Sequence, residues 1–423
     1  MTKKFVNAIK TIGIYIIIFA VLLILYSGEI TFTSRIPRAR IEENLFDAYT
    51  QINEEGLYHS IYKLNLGFYD NWTDAISCNI LACQDSEHPF YSGIANAYVV
   101  EQDGENVIDA FNHALLNNGK IEQYSNFWLG NLLFVKILLI FLKWGEIRYL
   151  LNFIVTGLEV VLAIILNRRL GIRAMLSYLI ASMLLCITYN SGNIQASADI
   201  LIMQIGCILI LLFYNRLKPE ILKGRYEFFF IIGSIQFFMG YIFAPMFPLG
   251  MFLIITLLLD NKERIRDIVK IKYFVFEAVA WIAGYGLTAI TKQLIAYVVL
   301  ENQVGITKMQ RWSSGTIINK LTAFIIPLKS FNNGAIKALI FVAILIIIML
   351  LVCKRITICT LNTKKIYRGF VFLLMAAAVP YTYFAILSNA VGHAFYCQNM
   401  LCVVFMFVYI IACCFEIHPS KRK

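Results

Sequence analysis

Charge is what this chain has least of. Of its 423 residues only 15% are Asp, Glu, Lys or Arg, while 59% are hydrophobic and the mean hydropathy is +0.70. So little charge over such a length excludes a soluble globular protein and leaves a polytopic membrane protein. Other things are missing too. The ten cysteines show no zinc-ligand spacing. There is no Gly-rich phosphate loop, no nucleophile elbow and no dinucleotide fingerprint. No repeat of 20–50 residues and no low-complexity tract occurs. The basic residues are scattered between apolar runs and form no single stripe, which argues against nucleic acid as a partner despite a net charge of +11. The expected lack of a large cytoplasmic domain also argues against a nucleotide-sugar enzyme working on that side.

What is present is a series of apolar runs and one long polar interruption. The first run, Thr11–Tyr26, follows a basic N-terminus and has no small-residue cleavage site after it, so it reads as an uncleaved span with the N-terminus inside. The polar stretch from Gly28 to Ser125 holds fifteen of the 26 acids and five of the 37 bases. Because Lys and Arg concentrate in cytoplasmic loops, this stretch is expected outside. Later apolar runs fall at about Phe127–Leu142, Tyr149–Leu166, Ala174–Tyr189, Ile200–Tyr214, Glu227–Phe243, Met246–Leu259, Tyr273–Tyr297, Ala338–Val352, Gly369–Leu387 and Phe395–Phe415.

If every run crosses, the cluster Arg168, Arg169 and Arg173 lands outside. If Phe127–Leu142 only dips into the outer leaflet, the clusters Arg168–Arg173, Arg216–Arg225, Lys262–Lys272, Lys354–Arg368 and Lys421–Lys423 fall inside, and Lys136 is spared the bilayer centre, where a charge costs about 3 kcal/mol. The expected fold is therefore all-α and polytopic, with about ten transmembrane helices and both termini cytoplasmic. It divides into residues 1–27 (N-terminus and first span), 28–146 (extracytoplasmic segment with amphipathic and juxtamembrane helices) and 147–423 (nine-helix bundle). Ile41, Leu45, Tyr49 and Ile52 recur at helical spacing and stop at Gly56, which predicts an amphipathic helix along the outer membrane surface. Asp103-Gly104 predicts a hairpin turn.

The polar chemistry gathers on the outer side. In "GFYDNWTDAISCN", Asp70 and Asp74 are four residues apart, a spacing that puts both carboxylates on one helix face. Such a pair suits a divalent cation, or a split of pKa values that leaves one acid as a general base. The plainer alternative makes Asp70 an N-cap with Thr73 as its local partner. Asp199 opens a span from the outer side, where a cap would also place an acid. Trp72 and Trp128 beside the acids suit stacking on sugar faces. Arg311 and Lys308 sit in a basic outer loop and suit a phosphate, or anionic headgroups. His393 lies between the last two spans and suits a phosphate, a sugar or a metal, or a structural role. Cys78 and Cys83 are expected either as a disulfide or as two free thiols.

The layout of one span, a large outer loop and a further run of spans resembles the C-type fold of integral-membrane glycosyltransferases. "YSNFWLGNLLFVKILLIFLKWGEIRYLLN" (Tyr124–Asn152) is similar to that family's juxtamembrane segment and its Gly-x-Arg turn into the second span. "ILNRRLGIRAML" (Ile165–Leu176) is similar to its basic cytoplasmic turn, and "SADILIM" (Ser197–Met203) puts Asp199 at the family's second outer acid. The family's Asp-Glu-x-x-Tyr is absent, with Phe46–Tyr49 as the closest match, and its Pro-Pro is replaced by "YSNFW". The resemblance covers about the first half of the chain. It implies a catalytic carboxylate at Asp70 or Asp74, a polyprenyl-phosphate-linked sugar donor, and a glycan or lipid-linked acceptor, with a divalent metal as an open option. The competing expectation is a flippase, transporter-like or polymerase-like protein of surface-polysaccharide assembly. A transporter needs an interior polar path, and polymerases put their large outer loop late.

Overall fold

The computed structural model describes residues 3–60, 68–216, 224–240, 246–301, 356–358, 363–386, 400–413 and 415–417. In chain order the elements are α1 (Lys3–Arg35), α2 (Glu42–Glu55), β1 (Tyr58–Ser60), β2 (Phe68–Asp70), α3 (Asn71–Ala82), α4 (Pro89–Ala95), β3 (Ala97–Val99), α5 (Val107–Leu115), β4 (Ile121–Gln123) and α6 (Asn131–Leu139). There follow α7 (Trp144–Leu170), α8 (Ile172–Leu184), α9 (Ile187–Asn190), α10 (Ile194–Phe213), α11 (Gly224–Met239), α12 (Met246–Lys262) and α13 (Asp267–Leu300). The last described elements are β5 (Ile356–Ile358), α14 (Thr363–Ile386), α15 (Leu401–Cys413) and β6 (Phe415–Ile417).

Among the described residues, four helices are long and apolar enough to cross a membrane: α1 from Ile9, α7, α10 and α13. A helix is the natural form for such runs, because it satisfies every backbone group within the segment. The segment expected at Phe127–Leu142 forms only the nine residues of α6. These rise about 14 Å, too little for a hydrocarbon core of about 30 Å. Lys136 on α6 is fully buried, and its Nζ donates to Gln84 Oε1 at 2.6 Å. The run Ala174–Tyr189 is interrupted at Cys186, whose φ of +50° separates α8 from α9. The stretch expected at Ala338–Val352 lies outside the described residues.

Two apolar cores organise the described residues. One fills the helix bundle from α7 through α15. The other belongs to the polar stretch and is built from Leu45, Ile52, Ile80, Phe111, Leu132 and Trp144, among others. Helix α2 ends at Gly56, where φ is +75°. Its buried face of Leu45, Ala48 and Ile52 meets α3, α5 and α7. The expected surface helix is thus a core helix of a small folded unit. The hairpin expected at Asp103-Gly104 does not form. The turn is there, with Glu105 N donating to Gln102 O, but β3 pairs antiparallel with β4 across the intervening α5. Asn106 and Asp109 make a capping box that starts α5 and diverts the chain.

Helices α1 and α13 tie this unit to the bundle. Each is about 50 Å long, and α1 runs on past the boundary expected at residue 27. Thr31 and Thr33 bond back to the carbonyls of Ser27 and Glu29, and Gly93 of α4 comes close to Ile30. From α13, Lys292 Nζ donates to Ile94 O at 2.7 Å, and Gln293 Nε2 donates to Asn126 O at 3.0 Å. At the opposite end of the bundle the basic connectors converge. Arg169 donates to Leu212 O, and Lys262 to Arg169 O. Nearby, Arg225 is buried between Asp260 and Glu277, with Tyr214 donating to Asp260.

Candidate functional site

The site lies where α3, the end of α2 and the starts of α7 and α10 meet. Arg148 stands one turn into α7, 2% exposed, at its centre. Its Nη1 donates to Glu55 Oε2 at 2.7 Å, and its Nη2 to Asn71 Oδ1 at 2.6 Å and Asp74 Oδ2 at 3.1 Å. The guanidinium lies 4.0 Å from the centre of the Tyr69 ring, a cation–π contact strengthened by burial. Asn71 also donates to Glu55 Oε2 and to Gly56 O, so the end of α2 is fixed to the start of α3.

The start of α10 closes the site. Asp70 N donates to Asn193 Oδ1 at 2.6 Å, and Ile194 N points at Asp74 Oδ1 at 3.4 Å. A carboxylate before a helix N-terminus is favoured by the free N–H groups and the helix dipole. Gly192 leaves room for the Tyr69 ring, which a Cβ there would meet at 2.6 Å. Asp70 caps α3, accepting from Thr73 N and from Thr73 Oγ1. The capping alternative therefore describes Asp70, although it is buried rather than solvated.

Burial dominates the titration of Asp74, against the opposing pull of Arg148 and with Asp70 adding to the rise; its pKa is pushed up to about 7. For Glu55, burial also pushes upward, but Arg148 and the bonds from Gln51 and Asn71 outweigh it and hold the carboxyl below its usual range.

Asp199 is not a cap. Helix α10 starts at Ile194, so Asp199 lies more than a turn inside, 2% exposed, and accepts from Gln236 Nε2 of α11. Asp74 meets the first turn of α10, Asp199 lies in its second, and Asp70 reaches Asn193, the residue before the helix, through its backbone N–H. Trp72 is partly buried against the core of the polar unit. Trp128 does not face a sugar position: it is buried, and its Nε1 donates to Thr288 O at 3.1 Å. Cys78 and Cys83 are free thiols; Cys78 is buried, and Cys83 Sγ lies 3.6 Å from Asn79 Oδ1. Arg311, Lys308 and His393 lie outside the described residues.

Among the described residues no group of three or more His, Cys, Asp or Glu is placed to hold a metal. Asp74 spends its oxygens on Arg148 and Ile194, and Asp70 turns its own toward Thr73.

Sequence reasoning passed over Arg148, Glu55, Asn71 and Asn193. A signal was available for Arg148: an arginine immediately before an apolar run lies where a charge needs a partner.

Beside the acids runs an apolar groove of 510 Å³ between α6, α7, α10 and α11. Ile194, Ser197 and Ala198 belong to its wall, so it borders the same turns of α10. Phe134, Ile154 and Ile205 on its rim are exposed. No family model, curated protein or solved structure matches the chain.

Proposed function

We propose that this membrane protein is a glycosyltransferase that moves a sugar from a polyprenyl-phosphate donor to an extracytoplasmic glycan or lipid-linked acceptor. The observation that supports it is the placement of Asp74 against the first turn of α10 and of Asp199 in its second, with Asp70 beside them at the start of α3, next to an apolar groove whose rim is exposed. In this reading the basic end of the bundle is cytoplasmic, as the distribution of Lys and Arg favours, and the acid end is outside. Asp74 is the base. A carboxyl that changes protonation near neutral pH suits that task. It takes the proton of the acceptor hydroxyl as that oxygen bonds to the anomeric carbon. The anomeric carbon–oxygen bond to phosphate breaks, and the polyprenyl phosphate leaves with the electron pair. Arg148 positions Asp74 and does not touch the substrate.

The test is surface-glycan composition in cells carrying Asp70→Asn, Asp74→Asn or Asp199→Asn, with the protein level in the membrane checked. Loss of one sugar with Asp74→Asn, at normal level, is expected. An unchanged glycan in all three variants overturns the reading and moves the weight to lipid-linked saccharide transport.

A further inference from the structure

Glu159 lies inside the membrane-spanning part of α7, and the chemistry at the acid end does not use it. It stands about 22 Å along a helix of about 40 Å, and it is buried. Its Oε2 accepts from Thr188 Oγ1 at 2.9 Å. Among the described residues no Lys, Arg or His pairs with it. Arg148, on the same face of α7, is about 16 Å away along the helix and is spent on Glu55 and Asp74. A carboxylate at that depth is costly unless its charge is met, and such residues mark the ion and substrate paths of membrane proteins.

The surroundings of Glu159 are rich in oxygen and add to its negative potential. Tyr178 of α8 lies within electrostatic reach of Glu159 and beside the Gln204 amide of α10. Gln204 Nε2 donates to Val155 O, one turn before Glu159, so the donor end of that amide is committed. The Gln204 Oε1, the Tyr178 hydroxyl and the Ser182 hydroxyl one turn beyond it are buried without hydrogen-bond partners, although buried polar groups are nearly always paired. The chain also breaks at this level. Helix α8 ends at Leu184, Cys186 takes a φ of +50°, and Thr188, just beyond the break, is the residue that bonds Glu159. The C-terminal end of α8, where the helix dipole is negative, therefore stops beside the acid. In membranes, interrupted helices with such ends are the usual builders of cation sites. Beyond the break, Ser191 Oγ donates to Asn152 Oδ1 at 2.6 Å, which carries the polar lining on toward the start of α10.

The occupant that answers these features is small, positive and bound through oxygen. Oxygen donors suit a hard metal cation. One carboxylate neutralises a single charge, and would leave a divalent ion half-neutralised in the membrane interior. The three unpaired oxygens are sealed from anything as large as water, which excludes an organic ammonium ion. We propose that the bundle binds one dehydrated alkali-metal cation between α7, α8, α9 and α10, neutralised by Glu159 and coordinated by oxygens of Thr188, Tyr178 and Gln204. The site rests on the bundle alone and not on the transferase reading.

The test is thermal unfolding of the full chain in detergent at constant ionic strength and pH, in sodium chloride, potassium chloride or choline chloride. Sodium or potassium is expected to raise the melting temperature over choline in a saturable way, by roughly 3 °C at ten times the dissociation constant. Glu159→Gln keeps the shape and removes the charge, and is expected to melt at one temperature in all three salts. Gln204→Leu removes a coordinating oxygen, and is expected to raise the half-saturating ion concentration roughly tenfold. Equal melting of the unsubstituted protein in the three salts overturns the proposal. So does a sodium or potassium effect that survives Glu159→Gln, or stabilisation by magnesium or calcium and by neither alkali metal. The first comparison needs no variant, and Gln204→Leu probes the same site if Glu159→Gln does not fold.

Discussion

Arg148 carries more of this structure than any other side chain near the acids. It joins α2, α3 and α7 through Glu55, Asn71 and Asp74. Removing it leaves two carboxylates without their cation in a buried place, a change that costs about 3–5 kcal/mol. Arg148→Met is expected to lower thermal stability accordingly in detergent. Asp74 adds a pH signature. An unfolded aspartate titrates near 4, whereas in the fold Asp74 titrates at about 7. Between those values the folded state holds the extra proton. Its contribution is full below about pH 4 and is lost as pH rises through about 7. Glu55, held low, works the other way, and its contribution is lost only in acid. Melting temperatures across pH 4–8 should therefore show a falling limb that Asp74→Asn flattens. A limb unchanged in that variant would show that another group titrates there.

At the scale of elements, α11 and α13 are the most intimately packed pair among the described residues. A Cβ on Gly284 would collide with the Phe230 carbonyl, and one on Gly233 with the Trp281 carbonyl. Both obstacles are backbone, which cannot turn aside. Small residues that let two helix backbones touch are a common device in membranes. Gly284→Val is expected to cost about 3 kcal/mol, the upper end of overpacking penalties. Gly286→Ala, two residues along the same helix with nothing within 4 Å of a Cβ, should be silent. Thermal unfolding of the two variants side by side checks both statements.

Elements also show what could be read from the sequence. Hydropathy located α1, α7, α10 and α13, and the period through Leu45 and Ile52 located α2 with its stop at Gly56. It misplaced ends, because hydropathy marks apolar residues rather than helix limits. Helix α1 runs to Arg35 through Glu29 and Thr33, and α10 begins at Ile194 while the apolar run begins at Ile200. The second error made Asp199 look like a cap. What lies on α2 was equally hidden, since an apolar stripe does not say whether lipid or protein will cover it. The site was half legible. Asp70 and Asp74 were visible as a pair. Their partners Asn193 and Arg148 are ordinary residues, and only the tertiary contacts bring them in.

Over the whole molecule the two ends of the described bundle differ in chemistry. One end holds the converging basic connectors around Arg169, Lys262 and Arg225, and the other holds the acids. The small polar unit sits on the acid end, held by residues that come much later in the chain. Asp70 and its acceptor Asn193 are 123 positions apart, and Lys292 and Ile94 are 198 apart. This has a consequence for biogenesis. At about 5–20 residues per second, Asp70 is made roughly 6–25 s before Asn193, and longer before Lys292. During that interval Asp70 and Asp74 lack the cover of α10. A nascent chain arrested before residue 190 should expose the unit to protease, one arrested after residue 300 and clear of the ribosome should protect it, and equal digestion of the two would show that the unit closes by itself. The same order of events makes the early segment the part most dependent on chaperones, and makes late truncations harmful to a site whose acids lie in the first half of the chain.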